Sequence, residues 1–357
     1  MRHFLSCWRS EGGAMRGNPV LRWGVFSRQS ARGRIPLVLS CLLVTLLLAL
    51  VSLSIGDVLL PLSRTFALLL SPDASPQSFI IHELRLPRVA LALLAGGGLG
   101  IAGLIIQMLV RNPLASPDTL GVTTGASAGA LIWLAGFSLQ YGSGMLPYAA
   151  MAGAACAVGL VFLLSWRKGL TPLRLILTGV GVSALAGAIV SLVLVFSPLT
   201  TTLSAWVWLS GSVYAATWEK VLHLLAVYLW AVPLLCSLIR YLKVLQLNDE
   251  QALGLGIRVN TVRVLLMLGC VVLAGGAIAQ VGAMAFVGLI APHIARLWVR
   301  NGIVGQACVA VSGGGVMVMI ADLAARTLFR PADLPAGIFV ALAGAPFFLW
   351  LLIRQRT

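Results

Sequence analysis

The chain has 357 residues, of which 59% are apolar and 10% are charged, and its formal net charge is +15. Soluble globular domains carry about 25% charged residues, so this composition excludes an ordinary soluble domain and predicts an all-α polytopic membrane protein. A positive charge can indicate a nucleic-acid partner, but no run of Lys and Arg is interleaved with aromatic residues. The charges are instead typical of loops that set membrane topology.

The first 34 residues differ from the rest of the chain. They contain seven Arg and lack apolar periodicity, which predicts a basic, disordered cytoplasmic tail for residues 1–34 and a transmembrane domain for residues 35–357. The apolar run from Pro36 to Ile55 is longer than the region of about 7–15 residues found in a cleaved signal peptide. We therefore expect this run to be a retained spanning helix.

Ten apolar segments are candidates for membrane spans, each of which needs about 20 residues. The shortest, residues 284–299, is interrupted by Pro292. The predicted spans cover roughly residues 36–55, 89–109, 120–138, 146–166, 173–196, 217–239, 261–280, 284–299, 304–325 and 334–353.

An even number of spans places both termini on one side of the membrane, and the basic residues indicate which side. With the termini in the cytoplasm, the inner segments hold 19 of the 25 Lys and Arg residues. The outer ones are Arg64, Arg85, Arg88, Lys220, Arg326 and Arg330. This asymmetry follows the positive-inside rule and predicts cytoplasmic N- and C-termini.

The stretch "RNPLASPDTLGVTTGASAGA", residues 111–130, follows the second predicted span on the cytoplasmic side. Pro113 and Pro117 cannot continue a helix and predict a break in the chain. Asp118 or Thr119 can then cap the next helix. The glycines are small residues that let helix backbones approach closely in lipid, which predicts a tightly packed bundle. They are Gly121, Gly125 and Gly129 here, and Gly96, Gly97, Gly98 and Gly100 on the second span.

Motifs for nucleotide and metal binding are missing, and one short pattern matches a hydrolase motif. The sequence has no G-x-x-x-x-G-K-[ST] and no H-E-x-x-H, and its four His and six Cys are dispersed, so we expect no metal, cofactor or catalytic residue in this chain. Ser127 lies in a G-x-S-x-G pattern, for which an intramembrane serine protease would also need a base such as His223 or His293. Helix packing explains this serine more simply.

Ionisable residues are scarce within the predicted spans. Only Asp322 lies well inside one, and Arg326, four residues later, can pair with it on the same helix face. Ion-coupled secondary transporters usually carry acidic or basic groups in the bundle. The scarcity favours transport powered by a separate protein, with a secondary transporter working alone as the alternative of another class.

Six stretches, in order over roughly residues 80–355, carry a family resemblance. The stretches are "LRLPRVALALLAGGGLGIAG", "QMLVRNPLASPDTLGVTTGASAGA", "LILTGVGVSAL", "QALGLGIRV", "GAMAFVGLIAPHIARLWV" and "PADLPAGIFVALAGAPFFLWLL". With them the chain resembles the FecCD-type permease family, the membrane subunits of bacterial ATP-binding cassette (ABC) importers for ferric siderophores, haem and vitamin B12.

This resemblance implies a type II ABC importer permease fold with about ten spanning helices in the bacterial cytoplasmic (inner) membrane. It also implies a second, identical or paralogous permease subunit, two ATP-binding subunits that use ATP and Mg²⁺, and an extracytoplasmic substrate-binding protein. The chain itself would be a transport subunit and no enzyme. The expected function is translocation of an iron(III)-siderophore complex, with cobalamin or haem as alternatives within the family.

On the outer side, the resemblance assigns docking of the binding protein to Arg85 and Arg88 of "LRLPR" and to Arg326 of "ADLAAR". Positive charges there would steer and orient an acidic partner. The alternative interpretation is that these side chains anchor the helix ends by reaching the membrane surface with their charged groups.

On the cytoplasmic side, the connection over residues 240–263 is long and polar, and a short helix from Asp249 to Leu253 is predicted to end at glycines. An ordinary interfacial helix is one interpretation. The resemblance instead assigns it to coupling with the ATPase. The residues assigned are Glu250, Leu253, Gly254 and Gly256.

The break after the second span receives a role from the same resemblance, which assigns Asn112 and Leu114 of "RNPLA" to a cytoplasmic gate. Irregular backbone at membrane depth is tolerated only where protein or a water-filled cavity surrounds it, and a gate is such a place. A second gating position falls near Pro172 and Leu173, where the expected polar residues are absent.

Overall fold

The computed structural model describes residues 20–23, 26–29, 34–166, 170–247, 249–299, 302–329 and 332–354. Ahead of the membrane domain, β1 (Val20–Trp23) pairs with β2 (Phe26–Gln29) in an antiparallel hairpin that is not among the sequence predictions. The other residues of the predicted tail, up to residue 33, lie outside the described residues, so the prediction of disorder stays a prediction for them.

From residue 34 onward, the described chain consists of helices and their connections. A π-helical turn, Ile80–Arg85, joins α3 to α4, and a 3₁₀ turn, Asp118–Leu120, precedes α5. The helices are α1 (Arg34–Ser54), α2 (Leu62–Leu70), α3 (Pro76–Phe79), α4 (Leu86–Leu109), α5 (Val122–Gly136), α6 (Ser138–Tyr141), α7 (Leu146–Ser165), α8 (Pro172–Phe196), α9 (Leu199–Leu209), α10 (Trp218–Leu245), α11 (Asp249–Gly254), α12 (Val259–Val281), α13 (Val287–Trp298), α14 (Ile303–Leu328) and α15 (Ala336–Arg354).

Ten of these helices coincide with the ten predicted spans, which confirms the all-α membrane fold. Seven of the helices in the described part of the chain are long and apolar enough to cross a membrane. They are α1, α4 with the turns before it, α7, α8, α10, α12 and α14. The apolar stretches of α5 and α15 are shorter, and α13 has 12 residues. Helices α2 and α9 lie in stretches that were predicted as connections.

Helix α13 is short because the backbone turns sharply before it. Gly282 (φ 76°) and Phe286 (φ 66°) both adopt left-handed conformations between α12 and α13. A Cβ on Gly282 would lie 2.2 Å from the Trp208 carbonyl oxygen, so this turn requires glycine. Pro292 lies inside α13 and does not end it, which differs from the predicted interruption.

Helix α4 forms the centre of the bundle. It packs against α14, α12, α13 and α10, and most of its residues are buried. A second group forms where α5 packs against α7 and α8. In contrast, only 17% of the residues in the apolar stretches of α1 and of α8 are buried within the chain. These helices therefore offer broad apolar faces to lipid or to other subunits.

Glycines produce the closest helix contacts, as the sequence predicts. A Cβ on Gly96 of α4 would lie 2.2 Å from the Gly314 carbonyl oxygen of α14, and a Cβ on Gly125 of α5 would lie 2.7 Å from the Gly153 carbonyl oxygen of α7. At these distances any side chain would force the helices apart. Gly121 is different, because it is the left-handed residue (φ 80°) that precedes α5.

Candidate docking surfaces and cytoplasmic gate

The three arginines predicted to dock a binding protein converge on one cavity of about 450 Å³. Arg85 and Arg88 come from the π-helical turn and the start of α4, and Arg326 comes from the last turn of α14. Tyr214 and Asp333, from the connections before α10 and α15, complete the wall that faces them. Arg88 and Arg326 are more than two hundred positions apart in the sequence, and the α4–α14 contact brings them together.

Arg88 is bound on two sides by carboxylates. Its guanidinium lies 2.8 Å from Asp322 of α14 and 3.1 Å from Asp333. The Arg88 guanidinium carbon also lies 5.8 Å from the ring centroid of Tyr214, within the range of a cation–π contact. Arg326 lies farther from Asp322, at 3.5 Å. The predicted pair within α14 is therefore present. However, Asp322 lies closer to Arg88, on another helix, and the sequence did not predict that pair.

Arg85 and Arg326 are largely buried and hold the end of α1. Arg85 is 6% exposed and donates to the Leu53 carbonyl oxygen at 2.7 Å. Arg326 is 9% exposed and donates to the Ser52 hydroxyl at 2.7 Å. Charged donors at the C-terminal end of a helix satisfy carbonyls that have no partner within the helix. Both arginines thus have a structural task in addition to any docking role.

The charge of this cavity is close to balanced. Three arginines line it together with Asp57 and Asp333, and Asp322 lies behind Arg88. Two of the arginines, Arg88 and Arg326, thus already have carboxylate neighbours. Arg88 is the arginine whose second carboxylate, Asp333, is partly exposed, with 29% of its side chain accessible.

The short helix predicted from Asp249 to Leu253 is present as α11, and it presents an apolar edge. Ala252 is fully buried beneath it, whereas Leu253 is 59% exposed and Leu255 is 64% exposed. Glu250 is also exposed. The chain reverses at Gly256, whose φ of 77° suits glycine. Nothing lies within 4 Å of a Cβ placed on Gly254, so this glycine leaves the surface beside Leu253 open.

Asp249, the first residue of α11, anchors this helix to the bundle. One carboxylate oxygen lies 2.8 Å from Arg111, and the Asp249 carboxylate forms two bonds, of 2.7 and 2.8 Å, with the fully buried Arg263 of α12. These hydrogen bonds, chiefly those from Arg263, lower the pKa of Asp249. The carboxylate is therefore charged at neutral pH. Neither arginine was a predicted site residue.

The predicted gate lies where α4 ends and the chain turns. The Asn112 side-chain oxygen accepts a bond of 2.9 Å from the Leu114 backbone N–H, forming an Asx turn. The predicted caps of α5 are wrong, because Gly121 precedes α5 and no side chain caps it. Asp118 instead accepts a hydrogen bond from the Thr123 hydroxyl, in the first turn of α5.

The second predicted gating position begins α8. Pro172 is the first residue of that helix, and Leu173 is 67% exposed. Just before it, the Leu170 backbone N–H donates to the Asn260 side chain at 3.2 Å, and the Leu170 carbonyl accepts from Arg263 at 2.6 Å. This segment is therefore tied to the same buried arginine that anchors Asp249.

Within the described part of the chain, no three His, Cys, Asp or Glu side chains are grouped so that they could hold a metal ion. Two clusters of charged side chains lie at opposite ends of the bundle. Arg88 with Asp322 and Asp333 lies at one end, and Asp249 with Arg111 and Arg263 lies at the other.

Comparison with known proteins assigns these features to a family. The FecCD transport family matches residues 42–354. The achromobactin transport system permease protein of Dickeya dadantii is 52% identical over 337 residues, covering 94% of this chain and 97% of that protein. The iron(3+)-hydroxamate import system permease protein of Bacillus subtilis is 35% identical over 317 residues, covering 86% of this chain and 93% of that protein.

A solved structure shares the fold. It is described as an inward-facing conformation of a metal-chelate type ABC transporter, and it superposes with a TM-score of 0.80 at 32% identity, covering 90% of this chain and 99% of that one. The match covers almost the whole bundle and agrees with the sequence relatives, so fold and sequence indicate the same family. This chain belongs to the FecCD transport family of membrane permeases.

Proposed function

We propose that this permease is the membrane subunit of an ABC importer that translocates an iron(III)-siderophore complex across the bacterial inner membrane. The observation that carries the proposal is the 52% identity, over 97% of its length, to a permease named for achromobactin transport. The iron(3+)-hydroxamate permease supports the same substrate class. Cobalamin and haem are the alternatives within the family.

The energy for transport would come from a partner. The exposed edge of α11, with Leu253 at its centre, has the character of a small docking surface, because it is apolar, accessible and held rigidly from behind by Asp249 and Ala252. In the proposed contact with the ATPase, this surface also includes Glu250, Gly254 and Gly256. Two ATP-binding subunits would bind there, one to each permease of a pair, and would use ATP and Mg²⁺ in their own active sites.

The binding protein would dock at the opposite end, over the cavity lined by Arg85, Arg88 and Arg326. Arg88 is the best candidate for direct contact, because an acidic side chain of the partner could replace Asp333 beside it. Arg85 and Arg326 would support docking by holding α1 and the cavity wall in place. The positive-inside asymmetry supports this orientation, with both termini in the cytoplasm.

Passage of the chelate would occur between two permease subunits, identical or paralogous, with Asn112 and Leu114 at the cytoplasmic exit. The weakly buried faces of α1 and α8 leave surface for such a partner and for lipid. Whole-chelate transport demands a wide path, so the iron would stay with its own ligands. Rocking of the two subunits would open the path alternately to each side.

The test is uptake by the purified complex in liposomes. The permease is reconstituted with its ATPase and binding protein, and iron-labelled carboxylate and hydroxamate siderophores, haem and cobalamin are compared. We expect ATP-dependent accumulation of a siderophore and background levels of the other two. Accumulation of haem or cobalamin instead would reassign the substrate. Uptake by the permease alone, driven by a proton gradient, would establish a secondary transporter and overturn the proposal.

A further inference from the structure

Arg111 has an unusual backbone conformation at the junction between α4 and the proposed gate. Its φ is 56°, in the left-handed region, which is costly for a residue with a side chain. The Asn112 backbone N–H donates to the Gln107 carbonyl oxygen, and the Arg111 N–H donates to the Met108 carbonyl oxygen. This pair of bonds is the Schellman ending of a helix, where glycine usually occupies the left-handed position. An arginine there is unfavourable unless its side chain is needed.

The side chain of Arg111 extends to the corner between α10 and α11. Its Nε donates to the Leu245 carbonyl oxygen at 3.0 Å, and its terminal nitrogen donates to the Leu247 carbonyl oxygen and to Asp249, the latter at 2.8 Å. One residue thus joins the end of α4 to both sides of the α10–α11 corner. The residue that follows it, Asn112, forms the turn of the proposed gate.

The two arginines on Asp249 have different surroundings. Arg263 is fully buried, pairs with both carboxylate oxygens and also binds the Leu170 carbonyl oxygen, so it is a fixed anchor. Arg111 retains 30% exposure and bonds to a single carboxylate oxygen. The Arg111 contact is therefore the one that can break or shift without leaving a buried charge unpaired.

We propose that the Arg111–Asp249 ion pair is the mechanical link through which α11 moves the cytoplasmic gate. This inference rests on the proposed function and adds a positioning residue to it. A displacement of α11 pulls on the Arg111 side chain, and Arg111 is continuous in sequence with the turn at Asn112. Helix α4 stays in place during this movement, because among the described spans it is the most deeply buried one, and the turn at its end moves relative to it. The buried Arg263 contact keeps α11 attached while the gate moves.

The first test separates linkage from folding. Arg111→Gly supplies the residue that the left-handed position favours, and Arg111→Gln keeps side-chain bulk without charge. Arg64→Gln is the matched control, because it also breaks an arginine–aspartate pair of 2.7 Å, with Asp73 at the other end of the molecule. In the reconstituted complex we expect both Arg111 variants to bind the ATPase with wild-type affinity and to hydrolyse about tenfold more ATP per chelate transported. Arg111→Lys, which restores the charge, should recover part of the coupling.

An unchanged ratio of ATP hydrolysed to chelate transported in both Arg111 variants would overturn the link. So would loss of ATPase binding, since Arg111 would then support only the docking surface.

The second test needs no transport and so holds even if the substrate assignment fails. Hydrogen exchange of the purified permease is measured for Asp249→Asn and for Arg111→Gln. The link predicts faster exchange over residues 112–120 in Asp249→Asn and over residues 249–254 in Arg111→Gln, with neither change in Arg64→Gln. Exchange confined to the mutated segment in each variant would disprove mechanical connection between gate and coupling helix.

Discussion

Arg88 of α4 and Asp322 of α14 form an ion pair of 2.8 Å across the best-packed helix contact in the bundle, with side chains 13% and 3% exposed. Arg88 lines the cavity together with Arg326, which also approaches Asp322. Asp322 is therefore a buried carboxylate shared by two arginines, and Asp333 binds Arg88 from the more exposed side. This arrangement makes Asp322 important for stability, while Arg88 is the residue that a docking partner could reach.

Replacing Asp322 with Asn should destabilise the protein strongly. The substitution removes the charge that compensates Arg88 and Arg326, and breaking a buried pair from one side costs about 3 kcal/mol or more. The measurement is the midpoint of thermal unfolding in detergent, followed by the loss of the monodisperse peak on size exclusion. Asp73→Asn is the control, because it removes the carboxylate of an exposed pair with Arg64 and should leave the midpoint unchanged. Equal midpoints for the two variants would contradict the structural role of Asp322.

The α4–α14 contact also depends on two glycines without space for a side chain. Gly96→Ala would place a methyl carbon 2.2 Å from the Gly314 carbonyl oxygen, so we expect a loss of about 1–3 kcal/mol from overpacking. Gly159→Ala on α7 is the matched control, since nothing lies within 4 Å of its added Cβ. That variant should be neutral or more stable by up to about 1 kcal/mol, because alanine favours helix. Chemical denaturation in mixed micelles measures both, and a stable Gly96→Ala protein would show that the helices separate more easily than this geometry implies.

The helices were predictable because a membrane-spanning helix needs a run of about 20 mostly apolar residues, which is easily recognised in a sequence. Each predicted span coincides with a helix, and the predicted glycines of α4, with Gly125 and Gly129 of α5, lie at close contacts as expected. The capping of α5 was not predictable. Asp118 has the residue type and position of a cap, but its carboxylate accepts from the Thr123 hydroxyl, and the left-handed Gly121 precedes α5 in its place.

The contacts of the candidate site were predictable only in part, because several of them join distant parts of the chain. Short motifs located Arg85, Arg88 and α11, because these lie within continuous stretches. Sequence spacing within one helix also found the Asp322–Arg326 pair. It could not find the Arg88–Asp322 pair or the Arg111–Asp249 pair, whose members are 234 and 138 residues apart. A signal for Arg111 was nonetheless present, since an arginine at the end of a helix, before Asn-Pro, occupies a position that usually favours glycine.

Removing Asp333 should strengthen docking of the binding protein. Asp333→Asn leaves the Arg88–Asp322 pair intact but frees the side of Arg88 that faces the cavity. We expect affinity for the loaded binding protein to rise about fivefold, which corresponds to the roughly 1 kcal/mol of a partly exposed pair. Surface plasmon resonance on the permease in nanodiscs, at two salt concentrations, measures the change. Unaltered affinity would exclude Arg88 as a contact, and a lower affinity would make Asp333 itself a contact.

The coupling surface gives the sharpest prediction of partner binding. Leu253 is 59% exposed on α11, so Leu253→Asp should leave folding intact and place a charge in the centre of the proposed ATPase interface. A central apolar contact of this kind contributes about 2 kcal/mol or more, so affinity for the ATPase should fall at least about thirtyfold. The control is Leu139→Asp, at a position that is 94% exposed in α6 near the predicted outer surface. Co-purification and ATPase titration distinguish the two variants, because only Leu253→Asp should separate the subunits. If both variants retain the ATPase, the energy source does not bind at α11, and the predicted membrane orientation must then be tested by labelling each side.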